Sequence, residues 1–373
     1  MNTLRRSSRA YTLAELLVVM SIFVLVLAIA VPAFSSLMYS TERSQAENQL
    51  SVALGAARSA AMSSEGLGDA AAVFFYDPRA GRTRVGVYIA VGTMEDKNPD
   101  TGAGAPPTVT RDVFVPLPAY EPVQLPRNWM VRAYAPPGAI DTGATGGVNG
   151  WYEAVPGRAM DLTTGNWVFP ETGFYNATKE NSGANRQTFM VRFEAGSGAL
   201  STSKRMPALV VDVSPSKEFR TGLFGKQQLR LDTPEDLAGQ VRRILVARTD
   251  LGMTLAAQLT SRQQLLGDQA SDTVLVRPVG ELALYDERRL ATAVGARGVN
   301  PTTGCIYGDP NDPRRVPTSP SLDRTLFAKG GMGVALTASI NDWIQGTGEA
   351  TTPSDSRIFT IDRYRGSTRE VSP

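Results

Sequence analysis

The sequence predicts an α+β chain: a long N-terminal helix, half transmembrane and half amphipathic, packed on an antiparallel β-sheet head with large loop insertions. Three observations carry that expectation. An uncharged run from Leu16 to Phe34 leads into a helical stripe of small apolar residues. Strand-like segments rich in β-branched residues come after it, and prolines and glycines cluster among them over 97–186.

Leu16 to Phe34 is nineteen residues without a formal charge, and at about 1.5 Å per residue such a helix spans roughly the 30 Å of a bilayer's hydrocarbon core. Arg5, Arg6 and Arg9 precede it, with no acid among the first ten residues. The positive-inside rule then keeps Met1 cytoplasmic and sends the chain beyond Phe34 to the other side. The small residue suited to cleavage, Ala10, comes before the apolar run, the reverse of an ordinary secretory signal. The apolar helix would survive processing there. Glu15 sits at its mouth, where drawing a lone carboxylate into hydrocarbon costs about 3 kcal/mol.

Ala10-Tyr11-Thr12-Leu13-Ala14-Glu15 resembles the class III leader of type IV pilins and type II secretion pseudopilins, whose pattern is Gly followed by Phe-Thr-Leu-x-Glu. Ala10 for Gly and Tyr11 for Phe are the two departures. The resemblance implies a prepilin peptidase that cuts between Ala10 and Tyr11 and methylates the new N-terminus. It also implies a pairing of Glu15 with the Tyr11 amine of a neighbouring subunit, which sets axial register, and it matches Pro32 to a proline that kinks such helices. The implied partners are other pilin or pseudopilin subunits, through the N-terminal helix, and an inner-membrane assembly platform. The implied location is the bacterial inner membrane as a single-pass protein with an extracytoplasmic head, then a pilus or pseudopilus in the periplasm or at the cell surface. Without the resemblance, the same residues fit an uncleaved signal anchor carrying an envelope binding protein, with Glu15 reaching back to the headgroups.

Three segments are expected: a leader over 1–10, a transmembrane and assembly helix over 11–62, and a β-rich extracytoplasmic head over 63–373. In the soluble half of the helix Ala46, Leu50, Ala53, Leu54, Ala57, Ala60 and Ala61 recur at helical spacing, with Glu42, Arg43, Glu47, Gln49 and Arg58 mostly between them. Small side chains let a sheet approach closely. Ala70–Tyr76 and Arg84–Val91 flank Asp77-Pro78-Arg79-Ala80-Gly81-Arg82 and read as a hairpin. The helix end Ala56-Ala57-Arg58-Ser59-Ala60-Ala61 before that hairpin loosely resembles the minor pseudopilin, FimT-like branch.

Over 97–186 a loop-rich insertion is expected, with short strands at Arg111–Val115 and Trp129–Tyr134. Its aromatics, Trp129, Trp151, Tyr152, Trp167, Phe169, Phe174 and Tyr175, either pin these loops to the core or form a recognition surface. Strands are expected again at Gln187–Glu194, Ala208–Val213, Arg243–Ala247 and Thr273–Tyr285. Helices are expected from Thr233, over Leu255–Leu266 and Glu287–Val294, and an amphipathic segment over Val334–Ile344.

Composition narrows function. With 42% hydrophobic and 20% charged residues the chain has ordinary globular content. Losing the three leader arginines would take Lys+Arg from 38 to 35 against 36 acids, a side-chain charge of −1, so no general polyanion-binding surface is implied. One cysteine, Cys305, allows no intramolecular disulfide, and the absence of histidine excludes His-based triads and HExxH zinc sites. Ser201-Thr202-Ser203-Lys204 and Ser214-Pro215-Ser216-Lys217 match SxxK without a KTG partner, and Gly225-Lys226 lacks the upstream glycine of a phosphate loop. No enzyme activity, cofactor or metal is expected. Asp96, Asn98 and Asp100 alternate as calcium ligands do, but Thr101 and Pro107 stand where a calcium loop wants Gly and Glu. The C-terminal Arg357, Phe359, Arg363, Tyr364, Arg365 and Arg369 interleave cations with aromatics as single-strand nucleic-acid surfaces do. Asp355, Asp362 and Glu370 dilute them, and nucleic acid is not the expected partner. The size of the head favours a minor component over a repeating one.

Overall fold

The structure, a computed structural model, describes residues 13–63, 68–77, 82–97, 108–135, 166–168, 170, 187–201, 208–211, 241, 273–294, 339–347 and 354–371. The chain divides into two compact units, residues 1–46 and 47–373.

Helix α1 runs from Leu13 to Ser63, 51 residues. In the first unit the apolar side chains from Leu16 to Phe34 are exposed along the whole run. Pro32 lies inside the helix and removes the N–H that the carbonyl of Ala28 would bind. The hydroxyls of this stretch are satisfied by the helix itself. Ser21 donates to Leu17 O at 2.9 Å, Ser35 to Pro32 O at 2.8 Å and Ser36 to Ala33 O at 2.9 Å, which is the arrangement a hydrocarbon medium requires. At the soluble end every member of the predicted stripe is buried, Leu50, Ala53, Leu54, Ala57, Ala60 and Ala61 among them.

In the second unit the head is built on a ring of six strands. β1 (Ala70–Asp77) and β2 (Arg82–Lys97) form the expected hairpin, antiparallel from Ala70↔Ile89 to Asp77↔Arg82. β3 (Thr108–Pro116) lies antiparallel on β2, with a bulge in β2 between Ala90 and Gly92. Two-residue β4 (Val123–Gln124) extends the same edge of β2. β7 (Gln187–Phe193) is antiparallel to β1, β8 (Ala208–Val211) is parallel to β3, and β9 (Thr273–Pro278) joins the two, parallel to β7 and antiparallel to β8. The order β1-β7-β9-β8-β3-β2 therefore returns to β1. The expectation of a simple antiparallel sheet is corrected here: the sheet is closed, and two of its pairings are parallel.

All six strands contribute to one buried cluster: Ala71, Val73, Phe75, Tyr88, Phe114, Met190, Ala208, Val210 and Val276. These side chains fill the ring, as a six-stranded barrel is too narrow to leave a channel. Tyr88 is accommodated by Gly86, where a Cβ would stand 2.7 Å from the tyrosine ring.

A second sheet has the order β12-β11-β10-β5-β6, all antiparallel. Its strands are β5 (Trp129–Ala135), β6 (Asn166–Val168), β10 (Glu281–Asp286), β11 (Arg357–Ile361) and β12 (Thr368–Val371). The expected Thr273–Tyr285 segment thus divides at Val279-Gly280 between two sheets. α2 spans Glu287–Val294 as its pattern indicates, and a further helix covers 339–345. Tyr76 from the ring joins Met130, Trp167, Ala283, Tyr285, Leu290, Ile340, Trp343 and Ile344 in one core. Trp129 and Trp167 are both buried, so these two aromatics of the 97–186 stretch serve the core. The segments at Thr233, Arg243–Ala247 and Leu255–Leu266, the other loop aromatics and Cys305 lie outside the described residues.

Candidate functional site

The functional candidate read from sequence is the N-terminal end of α1. Glu15 occupies its first turn, where unpaired backbone N–H groups and the helix dipole favour a carboxylate. Ala10 and Tyr11 lie outside the described residues. From Leu16 onward α1 is long and apolar enough to cross a membrane, with Pro32 near the end of that run.

At the other end of α1, two glycine turns meet its last two turns. Gly196 N donates to Ala61 O at 2.9 Å, capping a carbonyl that the helix leaves open. Gly198 and Gly366 adopt φ of +63° and +58°. A Cβ on Gly198 would stand 2.7 Å from Met62, and one on Gly366 2.7 Å from the carbonyl of Gly198 and 3.0 Å from Arg58 Cδ.

Gly366 belongs to the turn between β11 and β12. Asp362 Oδ1 accepts from Tyr364 N at 2.9 Å and from Arg365 N at 2.6 Å. These contacts, the Arg365 amide first, hold the Asp362 carboxyl below its usual range. Leu200 N donates to Arg363 O at 2.9 Å and joins the turn to the end of β7. Arg357 on β11 bridges two carboxylates, Glu47 Oε1 at 3.1 Å from its Nε and Glu370 Oε2 at 2.8 Å from its Nη1. The cation–aromatic series of the C-terminal stretch is therefore divided. Phe359 is buried and Arg357 paired, while Tyr364 projects fully exposed at the turn with Arg363 stacked 5.9 Å from its ring centroid.

The remaining candidates are scattered. Asp96 lies in β2, paired with Val109, whereas Asn98 and Asp100 fall outside the described residues. Among the described residues no group of three or more Cys, Asp or Glu could hold a metal ion. Ser201 is buried, and Lys204, Ser214–Lys217 and Gly225-Lys226 lie outside the described residues.

Two charged groups escaped sequence reasoning. Arg192, on β7, is fully buried inside the ring and pairs with Asp69 at 2.6 Å and Asp112 at 2.7 Å. Arg132, buried on β5, donates from Nε to Tyr285 Oη at 3.0 Å and from Nη1 to the Trp167 carbonyl at 3.1 Å. Burial raises the Tyr285 hydroxyl well above its ordinary value, against the opposing effect of Arg132. Burial also pushes Asp355 up to about 6, against the opposing effect of a backbone hydrogen bond, with Arg289 at 3.4 Å. A charge alternating with apolar neighbours in a strand reads as solvent-facing, so neither arginine carried a signal.

Residues 5–31 match the prokaryotic N-terminal methylation motif. The chain carries a type IV pilin-like prepilin leader. No curated protein and no solved structure matches the chain.

Proposed function

We propose that the chain is a pilin-like structural subunit, cut between Ala10 and Tyr11 by a prepilin peptidase and assembled through α1 into a type IV pilus or type II secretion pseudopilus as a minor component. The observation that carries this reading is the methylation motif over residues 5–31 running into an apolar helix whose side chains are exposed. Such a helix has two hosts, lipid and a bundle of like helices, and passes from one to the other without meeting water. In this reading Glu15 pairs with the methylated amine of Tyr11 on the adjacent subunit, and Pro32 lets the helix bend. Mass spectrometry of the N-terminus of the membrane-extracted protein tests it. N-methyl-Tyr11 supports processing and assembly; an intact Met1 in a host with active peptidase refutes them and leaves an anchored envelope protein.

A further inference from the structure

We propose that the C-terminal hairpin, β11 with β12, is a clasp that locks the soluble end of α1 to the head. It goes beyond the assembly reading and holds whether or not the leader is cut. The last strands of the chain touch α1 at two places. Arg357 at the base of the hairpin reaches Glu47 on the helix and Glu370 on its own partner strand, so a single guanidinium ties three elements. At the tip, about three turns further along α1, Gly366 seats against Arg58 and against the carbonyl of Gly198. The 194–200 turn in turn caps Ala61 through Gly196.

The hairpin is itself anchored. Phe359 and Ile361 are buried, Ile361 N donates to Gly280 O at 3.0 Å, and β11 pairs with β10 from Glu281↔Thr360 to Leu284↔Arg357. The attachment at the tip is built to close tolerance. Gly366 takes a positive φ at a spot where a side chain has no room, and Asp362 holds the turn by two backbone N–H groups. With a single cysteine in the chain, no disulfide can do this work. The clasp thus joins the helix to both sheets by noncovalent contacts, beside the chain connection from α1 to β1.

Hydrogen exchange of the full-length chain in detergent tests the clasp. Gly366→Val forces a β-branched residue into the left-handed region and against the Gly198 carbonyl. It should speed exchange of the α1 amides over 50–61 about tenfold while β1 and β7 keep their wild-type rates. Arg357→Gln and Glu47→Gln, both tolerable at partly exposed positions, should each speed the same amides severalfold, and the double variant no more than the faster single. Wild-type exchange over 50–61 in all these variants, equal acceleration of α1 and the ring strands, or additive effects of Arg357→Gln and Glu47→Gln would each overturn the proposal. Should Gly366→Val fail to fold, the Arg357 and Glu47 variants decide alone.

Discussion

Arg192 and Asp112 stand on opposite sides of the six-strand ring, and their 2.7 Å ion pair crosses its interior. Asp69, just before β1, closes the group at 2.6 Å from the same guanidinium, and the Phe114 ring lies 5.1 Å beneath it. One end of the ring is sealed by charge and the middle by apolar side chains. Arg192→Ala leaves two largely buried carboxylates facing each other. A loss of about 3 kcal/mol in unfolding free energy is expected, measured by urea denaturation; a loss below about 0.5 kcal/mol would show the pair to be dispensable.

Gly86 and Tyr88 share the interior face of β2. A methyl at position 86 meets the Tyr88 ring, which is itself held 5.7 Å from Phe75. Gly86→Ala should cost about 1–3 kcal/mol, and adding Tyr88→Leu should recover part of it. Thermal unfolding of the two variants checks this, and a neutral Gly86→Ala contradicts it.

Asp355 makes stability depend on pH. Its folded-state value of about 6 lies above the ordinary 3.8, so the folded chain holds the proton more tightly. The stability this confers is complete below about pH 4 and is lost as pH rises through 6. Asp355→Asn removes the dependence: its thermal midpoint should exceed that of the wild type at pH 7, and the two should converge near pH 4. A constant difference across that range would assign the effect to other groups.

Under the proposed assembly, Glu15→Gln separates processing from incorporation. The N-terminus should still begin at methylated Tyr11, while incorporation into fibres falls about tenfold or more, the equivalent of losing at least 1.4 kcal/mol of pairing in an apolar medium. Quantitative labelling of sheared fibres provides the measure. Normal incorporation would remove Glu15 from the assembly contact.

Local patterns were legible in the residues; their closure was not. The Pro/Gly turn marked the β1–β2 hairpin, and helical spacing marked the buried stripe of α1 from Leu50 to Ala61. The ring depends on the parallel pairs β3–β8 and β7–β9, which join segments about 90 residues apart with no turn between them. Nor could alternation reveal which face is interior, because β1 is buried on both faces from Ala70 to Tyr76. The leader was legible because its order of charges, small residue and apolar run is itself the signal. Arg192 and Arg132 were not, because the carboxylates and the tyrosine that accept them come from distant parts of the chain.

The closed ring has a consequence for how the head meets other chains. An open sheet ends in a row of unpaired amides that will accept a strand from any neighbour. Here each ring strand finds its partners on both sides within the same chain. Among the described residues the second sheet ends at β6, whose Trp167 amide is taken by Asn341, and at β12, whose exposed Arg369 and Glu370 discourage an apolar strand from adding. In the proposed assembly, copies held side by side would thereby be kept from recruiting one another into fibrils of the wrong kind.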